Sequence, residues 1–274
     1  MPLDLRAEAA RYYDLNPNML ADVPFYIDRL PKPDARVLEL GCGTGRVSLP
    51  LAAECAFLHG LDLSDAMLDV CREKIANGRL GPDRIVVEHA DITDYALGSR
   101  FDFIIAPYRV MQNLETDEQL DGLFRCIRTH LAPGGRCILN VFHPFKPRDE
   151  LLRVWVTDEE ELAWEVERDG ERMTCHDVRP RLVVNPLVLY PELIYRRWRG
   201  EEMLEEVVLP IPMRCFYPDE FLDLIRSAGF AITGSWGGYA GEPYGQGKEL
   251  VVEFAPGGCA SLGVRRQPLA KHQK

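Results

Sequence analysis

The feature that most restricts this chain is Val37-Leu38-Glu39-Leu40-Gly41-Cys42-Gly43-Thr44-Gly45-Arg46. A short apolar run enters a turn rich in glycine, and the residues beyond the turn read as the start of a helix. Glycine permits backbone angles at positive φ and lets a ligand approach where a Cβ would otherwise stand. The segment therefore reads as a buried strand, a ligand-binding turn and a helix, a unit that dinucleotide enzymes share. From 36 to 145 short apolar runs alternate with amphipathic stretches, the pattern of a parallel sheet covered by helices. Buried strands are expected at 36–40, 56–62, 84–89, 101–106 and 136–142. Ser64 caps a helix whose Met67, Leu68, Cys71 and Ile75 share one face. Thr116 opens another, with Leu120, Leu123, Phe124, Ile127 and Leu131 at helical spacing, and Pro133-Gly134-Gly135 stops it. Crossovers between parallel strands are right-handed, so the α/β sheet is doubly wound and Rossmann-like.

Past residue 149 the pattern changes to alternating polar and apolar residues with turn signals. Asp169-Gly170 lies between two such runs, a strong hairpin cue, and Gly200 lies between two more. A helix is expected at 218–228, ended by Gly229, and strands at 230–236 and 248–254. We read 1–149 with 215–256 as one α/β core with an N-terminal cap. We read 150–214 as an antiparallel β insertion after the fifth strand that lids the cleft or supports a homodimer, and 257–274 as a disordered tail. Trp155, Trp164, Tyr190, Tyr195 and Trp198 of the insertion are expected in a small core or a dimer contact rather than in a substrate pocket. Asp158-Glu159-Glu160-Glu161 reads as a solvated helix start.

Charge narrows the partners. The chain has 274 residues and a formal net charge of -11. An acidic surface repels phosphate backbones, which argues against nucleic acid. Arg196-Arg197-Trp198-Arg199 does not reverse this, since alternate residues of a strand point to opposite faces. No apolar run is long enough to cross a membrane, the first residues do not resemble a signal peptide, and the expected compartment is the cytoplasm. Of the eight cysteines none forms a C-x-x-C pair or a zinc-ligand spacing with histidine, so they read as reduced and structural, with no metal site.

Three further details bear on the ligand. The dinucleotide fingerprint needs glycine where Arg46 stands. Asp62 ends the second strand, where a carboxylate accepts both hydroxyls of a ribose. Ala90-Asp91-Ile92 ends the third, where a carboxylate accepts from an adenine amino group and Ile92 packs on the ring.

On these residues the chain resembles the class I S-adenosylmethionine-dependent methyltransferases, over about 12–145 and again over 216–254. Ala106-Pro107-Tyr108-Arg109 with Gln112-Asn113-Leu114, and Trp236-Gly237-Gly238-Tyr239, resemble bacterial small-molecule members. The resemblance implies a seven-stranded sheet in the order 3-2-1-4-5-7-6 with the seventh strand antiparallel. It implies that Gly41, Gly43 and Gly45 line the methionine part of S-adenosyl-L-methionine and that Glu39 holds its ammonium. Asp62 would bind the ribose, while Leu63, Met67, Asp91 and Ile92 form the adenine pocket. Tyr13, Cys42, Arg46 and Ala106 complete the cofactor-binding set, and Tyr12-Tyr13-Asp14 resembles a segment that closes over the cofactor. Ala106-Pro107-Tyr108 departs from the [DN]-P-P-[YFW] motif of enzymes that methylate an adenine or glutamine nitrogen, which weighs against those substrates.

Ligands in such folds sit beyond the carboxyl ends of the strands. Tyr108 and Arg109 follow the fourth strand and His143 the fifth, and these three are the candidate catalytic residues. His143 is the candidate base, because imidazole titrates near neutral pH. Arg109 can hold a carboxylate or phosphate in a bidentate contact. The expected activity is methyl transfer to a nitrogen or oxygen of a small molecule. A nicotinamide-dependent oxidoreductase and a non-catalytic S-adenosylmethionine-binding protein stand as alternatives.

Overall fold

The strand expected at 36–40 is β1 (Arg36–Leu40), with Val37, Leu38 and Leu40 fully buried. The computed structural model describes Asp4 and residues 6–257. On one side β1 pairs in parallel with β2 (Phe57–Asp62), which pairs with β3 (Ile85–His89). On the other it pairs with β4 (Phe101–Ala106), which pairs with β5 (Leu131–Phe142). Alternate residues of these strands face opposite layers. Leu38, Ile104 and Leu139 join one apolar cluster, Val37, Phe103, Ile105 and Ile138 the other.

The second layer is covered from the N-terminal side. α1 (Ala10–Tyr13) and α2 (Val23–Ile27) precede the sheet, and Phe25 and Tyr26 of α2 pack with Leu51 and Ala52 of α3 (Ser48–Glu54). α4 (Asp65–Asn77) follows β2, and Ser64 caps it by accepting from the Met67 amide. α5 (Asp117–His130) covers the first layer. Thr116 and Gln119 form a reciprocal capping box, and Leu120, Leu123, Phe124 and Ile127 are buried.

Leu131 is not the last turn of that helix, as its spacing suggested, but the first residue of β5. Phe101 pairs with Leu131 and Phe103 with Arg136, so the extra residues, including Gly134 at φ 76°, form a bulge inside the strand.

Between β5 and the end of the core lie α6 (Arg148–Trp155), β6 (Thr157–Arg168), β7 (Glu171–Val184), β8 (Leu187–Arg199), β9 (Glu202–Pro210) and the short β10 (Met213–Arg214). They form an antiparallel sheet in the order β10-β8-β7-β6, with β9 also on β8. The Asp169-Gly170 and Gly200 hairpins are as expected, all three residues having positive φ. The acidic run 158–161 is strand, not the start of a helix. Glu160 pairs with Arg196 and Glu161 with Arg179 across the sheet, and the helix ends before the run, at Trp155. Such cross-strand pairs favour the sheet over a local helix. The arginines of β8 are held the same way, Arg197 and Arg199 both on Glu171.

α7 (Pro218–Ser227), β11 (Phe230–Trp236) and β12 (Glu249–Pro256) complete the core. β12 is antiparallel to both β5 and β11, giving the order β11-β12-β5-β4-β1-β2-β3. That is the expected seven-stranded order, with the last strand inserted beside the fifth. Seven cysteines are buried free thiols. Cys259, and all but the first residue of the expected tail, lie outside the described residues. Among the described residues no helix is long and apolar enough to cross a membrane.

Candidate active site

At the end of β1 the backbone turns with Gly41, Gly43 and Gly45 at φ 71°, 52° and 84°. A Cβ at Gly41 would lie 2.1 Å from Val110 Cγ2, and one at Gly45 would lie 2.7 Å from Cys71 Sγ. Both positions are crowded by neighbouring side chains, and Val110 stands with Gly41 in the wall of the cavity that adjoins the turn. The Gly43 amide donates to Asp62 Oδ2 at 2.8 Å and the Ser64 amide to Oδ1 at 2.9 Å. A carboxylate oxygen accepts more than one hydrogen bond, so Asp62 is fixed by the main chain and keeps acceptor capacity.

A cavity of about 280 Å³ opens here, with Gly41, Gly43, Asp62, Leu63, Asp91 and Ile92 in its wall. Leu63, an apolar side chain, is 54% exposed. Asp91 is set by an Asx turn, Oδ1 accepting from the Thr93 amide and hydroxyl at 2.8 and 2.7 Å. Two fixed acids and an exposed leucine between them suit a molecule with ribose hydroxyls and an aromatic base, which is the fit expected for an adenosyl group.

Glu39 lies deeper and is 2% exposed. Ser48 Oγ donates to it at 2.6 Å, but burial outweighs that bond and pushes its carboxyl up to about 8. A buried carboxyl of this kind is suited to a ligand that brings a positive charge. Arg46 pairs with the fully buried Asp22, donates to the Leu20 carbonyl and lies 5.2 Å from the Tyr108 ring. Glu39, Cys42, Gly45, Arg46 and Ala106, all expected in the cofactor set, stand outside the residues that wall the cavity.

The N-terminal segment is clasped to the glycine turn. Thr44 Oγ1 donates to Asp14 Oδ1 at 2.7 Å, Lys74 Nζ meets Asp14 Oδ2 at 2.6 Å, and Ser64 Oγ donates to Asp4 at 2.8 Å. Tyr13 then meets Tyr108 edge to face, with ring centroids 6.0 Å apart. Burial raises the pKa of both phenols.

Beside the first cavity lies a second of about 660 Å³, between the core and the antiparallel sheet. Arg6, Tyr13, Met67, Tyr108, Asn113 and Leu209 belong to the walls of both. Trp155, Trp164 and Tyr195 line the larger one, which corrects the expectation that the insertion's aromatics stay out of a pocket. Trp164 and Tyr195 also pack with Tyr12 in an apolar cluster, so one layer serves as core and as cavity wall. Tyr190, which donates to Glu115, and Trp198, beside Arg172, are not in that wall.

Tyr108 and Arg109 are consecutive left-handed residues, at φ 55° and 67°. Such strain persists only where the surroundings over-determine it. Here Asn140 Oδ1 accepts the Arg109 amide at 3.1 Å, and Glu249 accepts Arg109 Nε at 3.0 Å, its Nη2, and Asn140 Nδ2 at 2.9 Å. The Arg109 guanidinium is thereby committed to Glu249. His143 is 4% exposed, with Nδ1 3.2 Å from the Pro144 carbonyl oxygen and Nε2 3.0 Å from that of Gly247. Both ring nitrogens thus face main-chain acceptors. Asn113, Asn140 and Glu249 were not expected as site residues. The available signal was polarity within apolar runs, Asn140 in Ile138-Leu139-Asn140-Val141 and Glu249 before Leu250-Val251-Val252.

The doubly wound sheet, the glycine turn after β1 and acids after β2 and β3 define a class I nucleotide-cofactor fold. Residues 37–135 match the family described as a methyltransferase domain. The cypemycin N-terminal methyltransferase of a Streptomyces species is 28% identical over 249 residues, 89% of this chain and 94% of that one. An N,N-dimethyltransferase of dTDP-3-amino-3,6-dideoxy-alpha-D-glucopyranose from Streptomyces fradiae is 29% identical over 48% of this chain and 52% of its own. Three other curated relatives are likewise spanned over about half their length. An S-adenosylmethionine-dependent methyltransferase from Clostridium acetobutylicum shares the fold, with a TM-score of 0.71 at 17% identity over 92% of this chain and 98% of that one. The match to a methyltransferase domain thus spans β1 to the first part of β5 and leaves the antiparallel sheet outside it.

Proposed function

We propose that this enzyme transfers a methyl group to the nitrogen of a small-molecule amine by in-line displacement. The observation that carries the reading is the wall common to the two cavities, where Tyr13, Met67 and Tyr108 stand between the adenosyl cleft and the larger apolar space. Bound S-adenosylmethionine supplies a methyl on a sulfonium, which a nitrogen lone pair displaces while the electrons of the C–S bond pass to sulfur. Asp62 and Asp91 hold the adenosyl end of the cleft, and Glu39, buried behind the glycine turn, is the acid nearest in sequence to the amino acid end. Tyr13 and Tyr108 fix the line of approach at the junction, and their ring faces suit a cationic centre. Orientation of this kind supplies much of the rate in a displacement that needs no protein nucleophile.

Nitrogen is favoured over oxygen by the surroundings. A hydroxyl acceptor gains most from a base, and the base candidate His143 has both ring nitrogens against carbonyl oxygens. An amine needs only a free lone pair, and Arg6 in the common wall disfavours its protonated form through like charge. The name of the sugar-modifying relative specifies nitrogen, and that of the full-length relative an N-terminus. A cavity of 660 Å³ is substrate-sized, which supports catalysis over a purely cofactor-binding role.

The test is incubation with isotopically labelled cofactor and parallel panels of amines and alcohols, read by mass spectrometry. Label on amine nitrogen is the expected result. Label confined to oxygen, with cofactor bound, overturns the choice of nitrogen.

A further inference from the structure

Asp177 is the one acid in the wall of the larger cavity among the described residues, and Arg6, Arg109, Arg179 and Lys248 are its basic residues. Asp177 lies on β7, and the sheet register fixes its distance from the junction of the two cavities. Leu209, in the wall of both cavities, pairs with Leu193, and Leu193 pairs with Asp177. Directly paired residues share a face. Asp177 therefore lies two strand spacings, about 10 Å, from the edge of the cofactor cleft. The space between is apolar, with Leu193, Leu189 and Trp164 in its walls.

The Asp177 carboxylate is poorly matched by the protein itself. Its ion-pair partner, Arg179, lies 3.6 Å away, beyond hydrogen-bonding distance, and pairs more closely with Glu161, at 2.7 Å. One cation between two carboxylates leaves the group with a net negative charge. Burial pushes the Asp177 carboxyl up, which shows that water does not compensate it fully.

We infer that Asp177 is a second anchoring point in the acceptor cavity, one that takes an ammonium or guanidinium at the far end of an otherwise apolar amine. The inference rests on the reading of this cavity as the acceptor site. It makes the substrate an elongated molecule with a nitrogen at each end and an apolar middle. One nitrogen is methylated beside Tyr108, and the other, charged, sets position and register from the Asp177 end.

The probes are 1,8-diaminooctane, whose extended nitrogens span a comparable distance, and octylamine, which lacks the second one. Binding is followed by the fluorescence of Trp155 and Trp164, and methyl transfer by mass spectrometry. The wild-type enzyme should bind the diamine about tenfold more tightly than octylamine. Asp177→Asn should erase that preference while leaving octylamine affinity unchanged, and Asp177→Glu should retain part of it. Equal affinity for the two amines, a preference undiminished in Asp177→Asn, or binding of neither overturns the inference. An Asp177-dependent preference without methylation of either amine, cofactor being bound, instead overturns the proposed reaction and leaves the anchoring point standing.

Discussion

Tyr12 lies flat on Tyr195, with ring centroids 5.2 Å apart and planes 8° from parallel, and its hydroxyl donates to Glu205 at 2.6 Å. One side chain of the N-terminal segment is thus joined to β8 and β9, while Asp14, two residues on, is joined to the glycine turn. The segment fastens the antiparallel sheet to the glycine turn and helps wall the larger cavity between them. Tyr12 is 2% exposed, so Tyr12→Ala should cost about 3–5 kcal/mol of stability. Tyr12→Phe keeps the stack and should cost only about 1 kcal/mol, because Glu205 also meets Arg11 and Arg197. Urea unfolding of the two variants checks both values.

Asp62 is tied to two main-chain amides before any ligand arrives. Asp62→Asn replaces one acceptor oxygen with a donor that must face an amide already donating, and removes the charge that a ribose would meet. Affinity for S-adenosylmethionine should fall about 10- to 100-fold by calorimetric titration. Unchanged affinity would remove Asp62 from the cofactor site.

If Glu39 meets the cofactor ammonium, as proposed, cofactor binding should depend on pH. The Glu39 carboxyl is raised from 4.5 to about 8, so at pH 7 it is mostly protonated in the protein alone. Between those two values the folded chain holds a proton that the unfolded chain has released. Stability without cofactor therefore declines as pH rises through that window. A cofactor ammonium facing Glu39 draws the carboxyl back to its charged form, and binding at pH 7 should release close to one proton. Titrations in two buffers of different ionisation enthalpy measure the release, and Glu39→Gln should abolish it.

The glycine turn and the acids beside it, the proposed cofactor half of the site, were legible because they are local. Gly41, Gly43 and Gly45 sit in one turn, and Asp62 and Asp91 sit at strand ends whose positions follow from the period of the apolar runs. The acceptor half was not, because it depends on what covers what. Alternation marked one face of the insertion as apolar, yet nothing in Trp164 or Tyr195 states that this face meets α1 across a cavity. Arg109 read as a group that could hold a substrate carboxylate or phosphate, because its partner in the fold, Glu249, lies 140 residues away. The run 158–161 read as helical because the arginines that hold it in a strand are on β7 and β8.

His143 separates the two routes for the acceptor. With its ring nitrogens against the Pro144 and Gly247 carbonyls it ties the end of β5 to the segment before β12. His143→Gln should lower the melting temperature by a few degrees, as loss of about 1 kcal/mol does in a chain of this size. The pH at which kcat/KM falls off on the acid side should not move. A shift of that limb in the variant would restore His143 as the base.

Glu249 should act on catalysis through Tyr108 without touching substrate. It is 3% exposed and accepts from Arg109 and Asn140, which together hold two successive left-handed residues in place. Each such residue carries about 1–3 kcal/mol of backbone strain, so weakening the clamp lets the loop relax and the Tyr108 ring leave the junction. Glu249→Gln should lower kcat about tenfold with cofactor affinity within about twofold, and Tyr108→Ala should do at least as much. If Glu249 works by placing that ring, the double variant should be no slower than Tyr108→Ala alone, since the two losses are one loss measured twice. Losses that multiply in the double variant would show that Glu249 supports the sheet independently of Tyr108, and the clamp would then be a feature of stability alone.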